Sequence, residues 1–355
     1  MPSPPAPLPS LGEGSSSLKP AIYRSIPLTP ILGEGVRGWG PVPCRTHVAP
    51  YPKPPKLPKF NGTAMNSLLA IVQLLRWDKP AGRLILMVPA LWGAFLAGRG
   101  TPPPLLIAVV VVGTLATSAA GCVINDIWDR NLDPLVDRTK DRPLASQKLS
   151  LGVAAVVGTI SLICAFVLAT FLNPVTFALC VAAVPAIALY PGAKRIFPVP
   201  QLVLAIAWGF AVLISWTAVA GQLPDCPIWE PATLFLWGAT VLWTLGFDTV
   251  YAMSDRSDDE RVGILSSARF FGPLTPTAVG FFFLGTAIFL VCVGLTMQLH
   301  ASFYAALGLC VAAWGWQTKR LHQRQPPKSL FPQVFRQNVA IGFVLLAGMI
   351  AGTLL

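Results

Sequence analysis

The sequence predicts an all-α integral membrane protein with nine transmembrane helices, and three observations predict it. Hydrophobic residues make up 54% of the 355 residues and charged residues only 12%, where soluble domains carry about 25% charged residues. Mean hydropathy is +0.63, and apolar runs of roughly 20 residues recur, the length a helix needs to cross a bilayer. Strands of a membrane barrel would be shorter and alternating. Finally, Lys and Arg are concentrated in every second loop, as the positive-inside rule requires.

Taken in order, residues 1–64 stand apart. They are rich in Pro, Gly and Ser without apolar periodicity, which reads as disorder. A near-repeat, Pro7 to Gly14 and Pro27 to Gly35, has nothing of a packed unit. Three readings stand side by side: a flexible tail, a targeting leader, or translated upstream DNA with the protein starting at Met65. The last is favoured, so the expected organisation is an extension over 1–64 and a membrane domain over 65–355.

Nine apolar spans follow, at 81–98, 104–124, 151–172, 174–190, 199–220, 231–250, 273–297, 301–317 and 338–355. Asn173-Pro174 marks the turn between the third and fourth. Charge orients them. Arg130, Arg138, Lys140, Arg142 and Lys148 follow span 2, and Lys194 and Arg195 follow span 4. Arg256, Arg261 and Arg269 follow span 6; Lys319, Arg320, Arg324, Lys328 and Arg336 follow span 8. The opposite loops hold Arg99, Asp225 and Glu230. The N-terminus is therefore expected in the cytoplasm or stroma and the C-terminus on the far side. The net charge of +11 reads as orientation and not as nucleic-acid binding. Seven scattered cysteines without a C-x-x-C pair read as small apolar helix residues. His47, His300 and His322 form no ligand motif. Arg83, just inside span 1, reads as a snorkelling anchor.

Two acidic stretches break the apolar pattern. Asp126, Asp129, Asp133 and Asp137 follow offsets of 3, 4 and 4, as do Asp248, Tyr251, Asp255 and Asp259. Such offsets predict one helical face. Two like charges 4 Å apart repel by about 4 kcal/mol at an effective dielectric of 20. A carboxylate at mid-bilayer costs about 2.5–3.5 kcal/mol on insertion scales. A bound cation removes both penalties, and hard oxygen ligands suit Mg²⁺, which shares its shell with water and phosphate. Both motifs open on the same predicted side, so the pair points to Mg²⁺ holding a diphosphate. Arg138 and Arg142 suit its anionic oxygens. Each remains open as a plain positive-inside anchor, as does Lys194, which follows Tyr190-Pro191 in an expected short turn.

Asn125-Asp126-x-x-Asp129-x-x-x-Asp133, with Arg138 to Pro143, resembles the first signature of the UbiA-type intramembrane aromatic prenyltransferases. Asp248-x-x-Tyr251-Ala252-x-x-Asp255-x-x-x-Asp259 looks like the second. Asp78-Lys79-Pro80, Asp137 to Leu144, Asp248 to Met253 and Gly263-Ile264 are most similar to the 4-hydroxybenzoate polyprenyltransferase branch. The resemblance covers residues 70–355. It implies nine helices around a central cavity open to lipid, capped by the cytoplasmic loops after spans 2 and 6. It implies Mg²⁺ held by Asn125, Asp129, Asp133, Asp255 and Asp259, with Asp126 in the same signature. It implies diphosphate contacts from Arg138, Arg142, Lys194 and Tyr190, and Tyr251 at the reacting end, with Asp248 or Asp255 taking a proton. Some members of the family carry Arg seven residues before the signature Asn. Here Ser118 stands there, so the group that binds the acceptor's carboxylate is left open.

The implied reaction joins a polyprenyl diphosphate to 4-hydroxybenzoate, ortho to its hydroxyl, for ubiquinone or plastoquinone. Homogentisate, dihydroxynaphthoate, chlorophyllide or haem are the rival acceptors. A transporter is the rival class, but it would place acids at mid-membrane. The expected setting is a bacterial plasma membrane or thylakoid, ahead of the mitochondrial inner membrane, with the site on the cytoplasmic side.

Overall fold

The computed structural model describes residues 64–224 and 226–355. The expected extension, including Cys44 and His47, lies outside them apart from Ala64, as does Asp225. Eleven α-helices form the described part: α1 (Ala64–Leu74), α2 (Ala81–Ala97), α3 (Pro104–Asp129), α4 (Leu151–Ala169), α5 (Pro174–Ile196), α6 (Pro200–Ala220), α7 (Pro231–Val262), α8 (Ser267–Phe271), α9 (Thr275–Thr296), α10 (Ala301–Leu321) and α11 (Leu330–Leu354). Each predicted apolar span is helical. By length and composition seven helical stretches suffice to cross a membrane, led by α3 to α7, then α8 running into α9, then α11. α2 has 17 residues and is shorter. In α10, Trp314, Trp316, Gln317, Lys319 and Arg320 dilute the apolar character.

Proline and small polar caps set the starts. Pro occupies the first turn of α3, α5, α6, α7 and α9, where its missing N–H costs nothing. Asn173 Oδ1 accepts the Thr176 N–H at 3.0 Å, so the predicted Asn173-Pro174 turn is a capped helix start. Helix α1 was not anticipated. Its Ala70 and Leu74 are buried, against α3 and α4.

α2 packs between α6 and α11, α7 packs on α6 and α9, and α10 closes the group against α9 and α11. Trp92 and Trp243 meet at 5.0 Å between ring centroids in the middle of this core. The indole N–H groups of Trp243 and Trp314 both donate to Asn338 Oδ1, at 2.9 and 3.0 Å. Asn338 Nδ2 in turn donates to Gln317 Oε1 at 3.1 Å. Polar atoms inside an apolar bundle must be paired in this way. Small residues let the helices close up: a Cβ on Gly342 would stand 2.7 Å from Val88 Cγ1. On the outside, α4 shows Val156, Ile160, Ile163 and Phe166 exposed, a face suited to lipid.

Candidate active site

Three helix ends and two loops build the site. α3 supplies Asp129 from its last turn. A proline disfavours α conformation in the residue before it, and Asp133 precedes Pro134. The chain accordingly leaves the helix after Asp129 and makes a 3₁₀ turn over Asp133–Leu135. The single helical face expected for Asp126 to Asp137 therefore ends at Asp129, and Asp137 is on the surface, 3.1 Å from Lys140. The second row stays helical throughout, because α7 runs twelve residues past the predicted end of its span. Gly263 stops it at φ +79°, and its N–H reaches the Asp259 carbonyl. α5 likewise continues to Ile196. Lys194 thus stands one helical turn from Tyr190, its ammonium 5.2 Å from that ring, and not in the short turn expected.

The ends of α3, α5 and α7 and their loops enclose a cavity of about 100 Å³. Asp129, Asp133, Arg138 and Arg142 line it from the first acidic segment. Tyr190 and Lys194 line it from α5, and Asp248, Tyr251, Asp255 and Asp259 from α7. Ten of the twelve residues singled out in the sequence thus meet in one place. Asn125 stands beside it, accepting a hydrogen bond from Lys194 Nζ at 3.3 Å. Asp126 does not line it. That carboxylate is fully buried, 2.6 Å from Arg76 Nη2 and 3.2 Å from Arg142 Nη1.

The facing acids are held in ion pairs. Asp129 is 3.1 Å from Lys194, Asp133 is 2.9 Å from Arg142, and Asp255 accepts from Arg138 Nε at 2.8 Å. Burial pushes the Asp133 carboxyl up, while the Arg142 charge beside it pulls down. Asp248 and Asp259 form no ion pair among the described residues. Arg138 also lies over Tyr251, 4.9 Å from the ring centroid. The loop after α3 meets the end of α7: Arg261 Nη2 donates to the Leu135 carbonyl at 2.6 Å, and the Asp137 N–H donates to Asp258 at 3.3 Å. These segments follow spans 2 and 6, which the family resemblance implied would form a cap.

Three residues were missed or misread in the sequence. Arg76 is one, because its partner Asp126 is fifty residues away. Gln201 lines the cavity and accepts the Ser267 N–H at 2.8 Å; a polar residue in the first turn of an apolar helix was the available signal. Arg83 was read as snorkelling. It is instead 5% exposed, with Nη1 3.4 Å from the Leu115 carbonyl.

Five carboxylates, an Arg pair, a Lys and two tyrosines around one hollow can hold a polyanion through cations and direct donors together. Residues 86–339 match the UbiA prenyltransferase family. The 4-hydroxybenzoate solanesyltransferase of Synechocystis sp. is 56% identical over 286 residues, covering 81% of this chain and 96% of that protein. The 4-hydroxybenzoate octaprenyltransferase of Ralstonia nicotianae is 39% identical over 289 residues, covering 81% and 97%. Among solved structures, the apo UbiA homologue of Aeropyrum pernix K1 superposes with a TM-score of 0.66 at 24% identity, covering 75% of this chain and 96% of that one. The Archaeoglobus fulgidus homologue bound to GPP and Mg²⁺ gives 0.59 at 18% identity, covering 78% and 99%. These two show the fold. The chain is an integral membrane protein and belongs to the UbiA prenyltransferase family.

Proposed function

We propose that this chain transfers a polyprenyl group from a polyprenyl diphosphate to 4-hydroxybenzoate, at the ring carbon ortho to the hydroxyl, as a step of quinone biosynthesis. The observation that carries the reading is the meeting of both acidic segments with Arg138, Arg142 and Lys194 around one cavity. The two curated relatives named for 4-hydroxybenzoate supply the acceptor. The basic loops after α3, α5 and α7 support a cytoplasmic placement of this end of the bundle.

The donor set fits Mg²⁺. Asp129 and Asp133 from one segment and Asp255 and Asp259 from the other offer hard oxygen ligands, with Asn125 beside them. Among the described residues no three His, Cys, Asp or Glu side chains stand close enough to hold an ion alone. That suits an ion completed by water and phosphate oxygens, as Mg²⁺ usually is. When bound, such ions neutralise the charge that gathers on diphosphate as it departs.

The remaining work falls to side chains. Arg138, Arg142 and Lys194 exchange their carboxylate partners for diphosphate oxygens and hold the leaving group in place. The allylic C–O bond breaks, and its electron pair leaves with diphosphate. Tyr251, packed on Phe335 at 5.1 Å, presents an electron-rich face to the allylic cation and keeps water from it. The acceptor's ring carbon forms the new C–C bond and then loses its proton. Asp255, released by Arg138, is taken up as a metal ligand. Asp248, half-buried on the same helix without an ion pair among the described residues, is the better-placed acceptor of that proton.

The test is to incubate membranes carrying the protein with labelled 4-hydroxybenzoate and prenyl diphosphates of several lengths, and to weigh the product. Homogentisate and dihydroxynaphthoate are offered in parallel. A prenylated 4-hydroxybenzoate is expected. Prenylation of a rival acceptor alone would overturn the assignment.

A further inference from the structure

Arg76 is fastened to the site without lining it. It lies two residues past α1, whose Ala70 and Leu74 dock that helix on α3 and α4. Its backbone is in the left-handed region, φ +58°, which residues with a side chain rarely adopt. Its N–H and Nη1 both donate to the Gln73 carbonyl, at 3.0 and 3.1 Å. Turn and guanidinium are thus fixed together, and Nη2 reaches Asp126 Oδ1 at 2.6 Å.

Asp126 Oδ1 serves a second cation, Arg142 Nη1, at 3.2 Å. The carboxylate is fully buried, and its Oδ2 has no hydrogen-bond partner among the described residues. One oxygen is therefore shared by two guanidinium groups, and what Arg76 takes Arg142 does not. Arg142 Nη1 also makes both contacts to Asp133. Nε and Nη2 of Arg142 donate to nothing among the described residues, and Arg142 lines the cavity. That edge offers two parallel N–H donors, the geometry phosphate oxygens accept. A buried carboxylate left with a single cation must be balanced by it alone. Without Arg76, Asp126 would draw Arg142 in and cancel its charge.

Resting on the proposed contact of Arg142 with diphosphate, we infer that Arg76 is a positioning residue for the prenyl diphosphate. It acts through Asp126: by occupying that carboxylate it leaves the Arg142 charge, and the Nε and Nη2 edge, to the leaving group.

The test measures binding of geranyl diphosphate with Mg²⁺ to the purified protein by calorimetry, beside the kinetics of prenylation. Arg76→Met is expected to weaken geranyl diphosphate about tenfold, the lower end for a hydrogen bond to a charged group, and to raise its KM to match. KM for 4-hydroxybenzoate stays as in wild type. In an Arg142→Met background the same substitution adds no further loss, because the effect runs through Arg142. Should Arg76→Met fail to fold, Arg76→Gln carries the test: it can still donate to Asp126 but brings no charge to balance it, and the same loss is expected. An unchanged Kd in the variant that folds, or a loss that adds in full to that of Arg142→Met, overturns the inference and leaves Arg76 as an anchor for α1. A wild type that binds geranyl diphosphate but leaves 4-hydroxybenzoate unprenylated would instead sink the proposed function alone.

Discussion

Arg138 and Asp255 bridge the two acidic segments, Arg138 Nε standing 2.8 Å from Asp255 Oδ2. The loop after α3 is thereby tied to α7, and the guanidinium that would hold diphosphate is parked on a carboxylate that would hold its metal. Substrate and ions arriving together satisfy both partners, so neither is left as an uncompensated charge.

Asp129→Asn and Asp255→Asn each remove a formal charge while keeping a hydrogen-bonding oxygen. Each variant should insert and fold but lose turnover by more than about 100-fold, as removal of a principal electrostatic group does. Product mass and melting temperature of the purified variants check this. Normal prenylation by either would refute the roles given to them.

Asp126 is predicted to behave differently. Its carboxylate is buried against Arg76 and Arg142 and does not line the cavity. Asp126→Asn should cost stability, about 3 kcal/mol as for breaking a buried pair, and leave the metal concentration for half-maximal rate near that of wild type. A large rise in that concentration would return Asp126 to the ligand set.

Metal removal should abolish activity. Excess chelator is expected to stop prenylation, and Mg²⁺ added beyond the chelator to restore it. Full rate in chelator would leave the carboxylates without the task assigned here.

Tyr251 contributes a ring to Arg138 and to the reacting end. Tyr251→Phe keeps the aromatic face and should retain most of kcat. Tyr251→Leu should lose roughly 2- to 30-fold, the span of about 0.5–2 kcal/mol for a cation over a ring. Equal losses in the two variants would mean that the hydroxyl, not the ring, matters.

Asn338 tests the core. Asn338→Leu leaves the indole N–H groups of Trp243 and Trp314 unpaired. It should destabilise the protein by about 2–4 kcal/mol, from the usual cost per orphaned buried donor. The readout is thermal unfolding in detergent, with KM for both substrates unchanged.

Much of this was legible in the residues themselves. Apolar runs mark where each membrane helix lies because burial in lipid demands them. Lys and Arg alternation orders the loops because each carries an orienting cost. Carboxylates are conspicuous in a chain that otherwise avoids charge, which is why Asp129, Asp133, Asp248, Asp255 and Asp259 stood out before their cavity was seen. What only the tertiary structure decided depends on partners far away in sequence. Asp126 has the same spacing as its neighbours, yet Arg76 and Arg142 turn it from the cavity. Pro134 ends the first row early, while α7 carries the second row straight through. Arg83 looks like a surface anchor until α2 and α3 close around it. Local spacing determines which face of a helix a side chain shares, but the helix packed against that face determines whether it meets lipid, a counter-charge or a substrate.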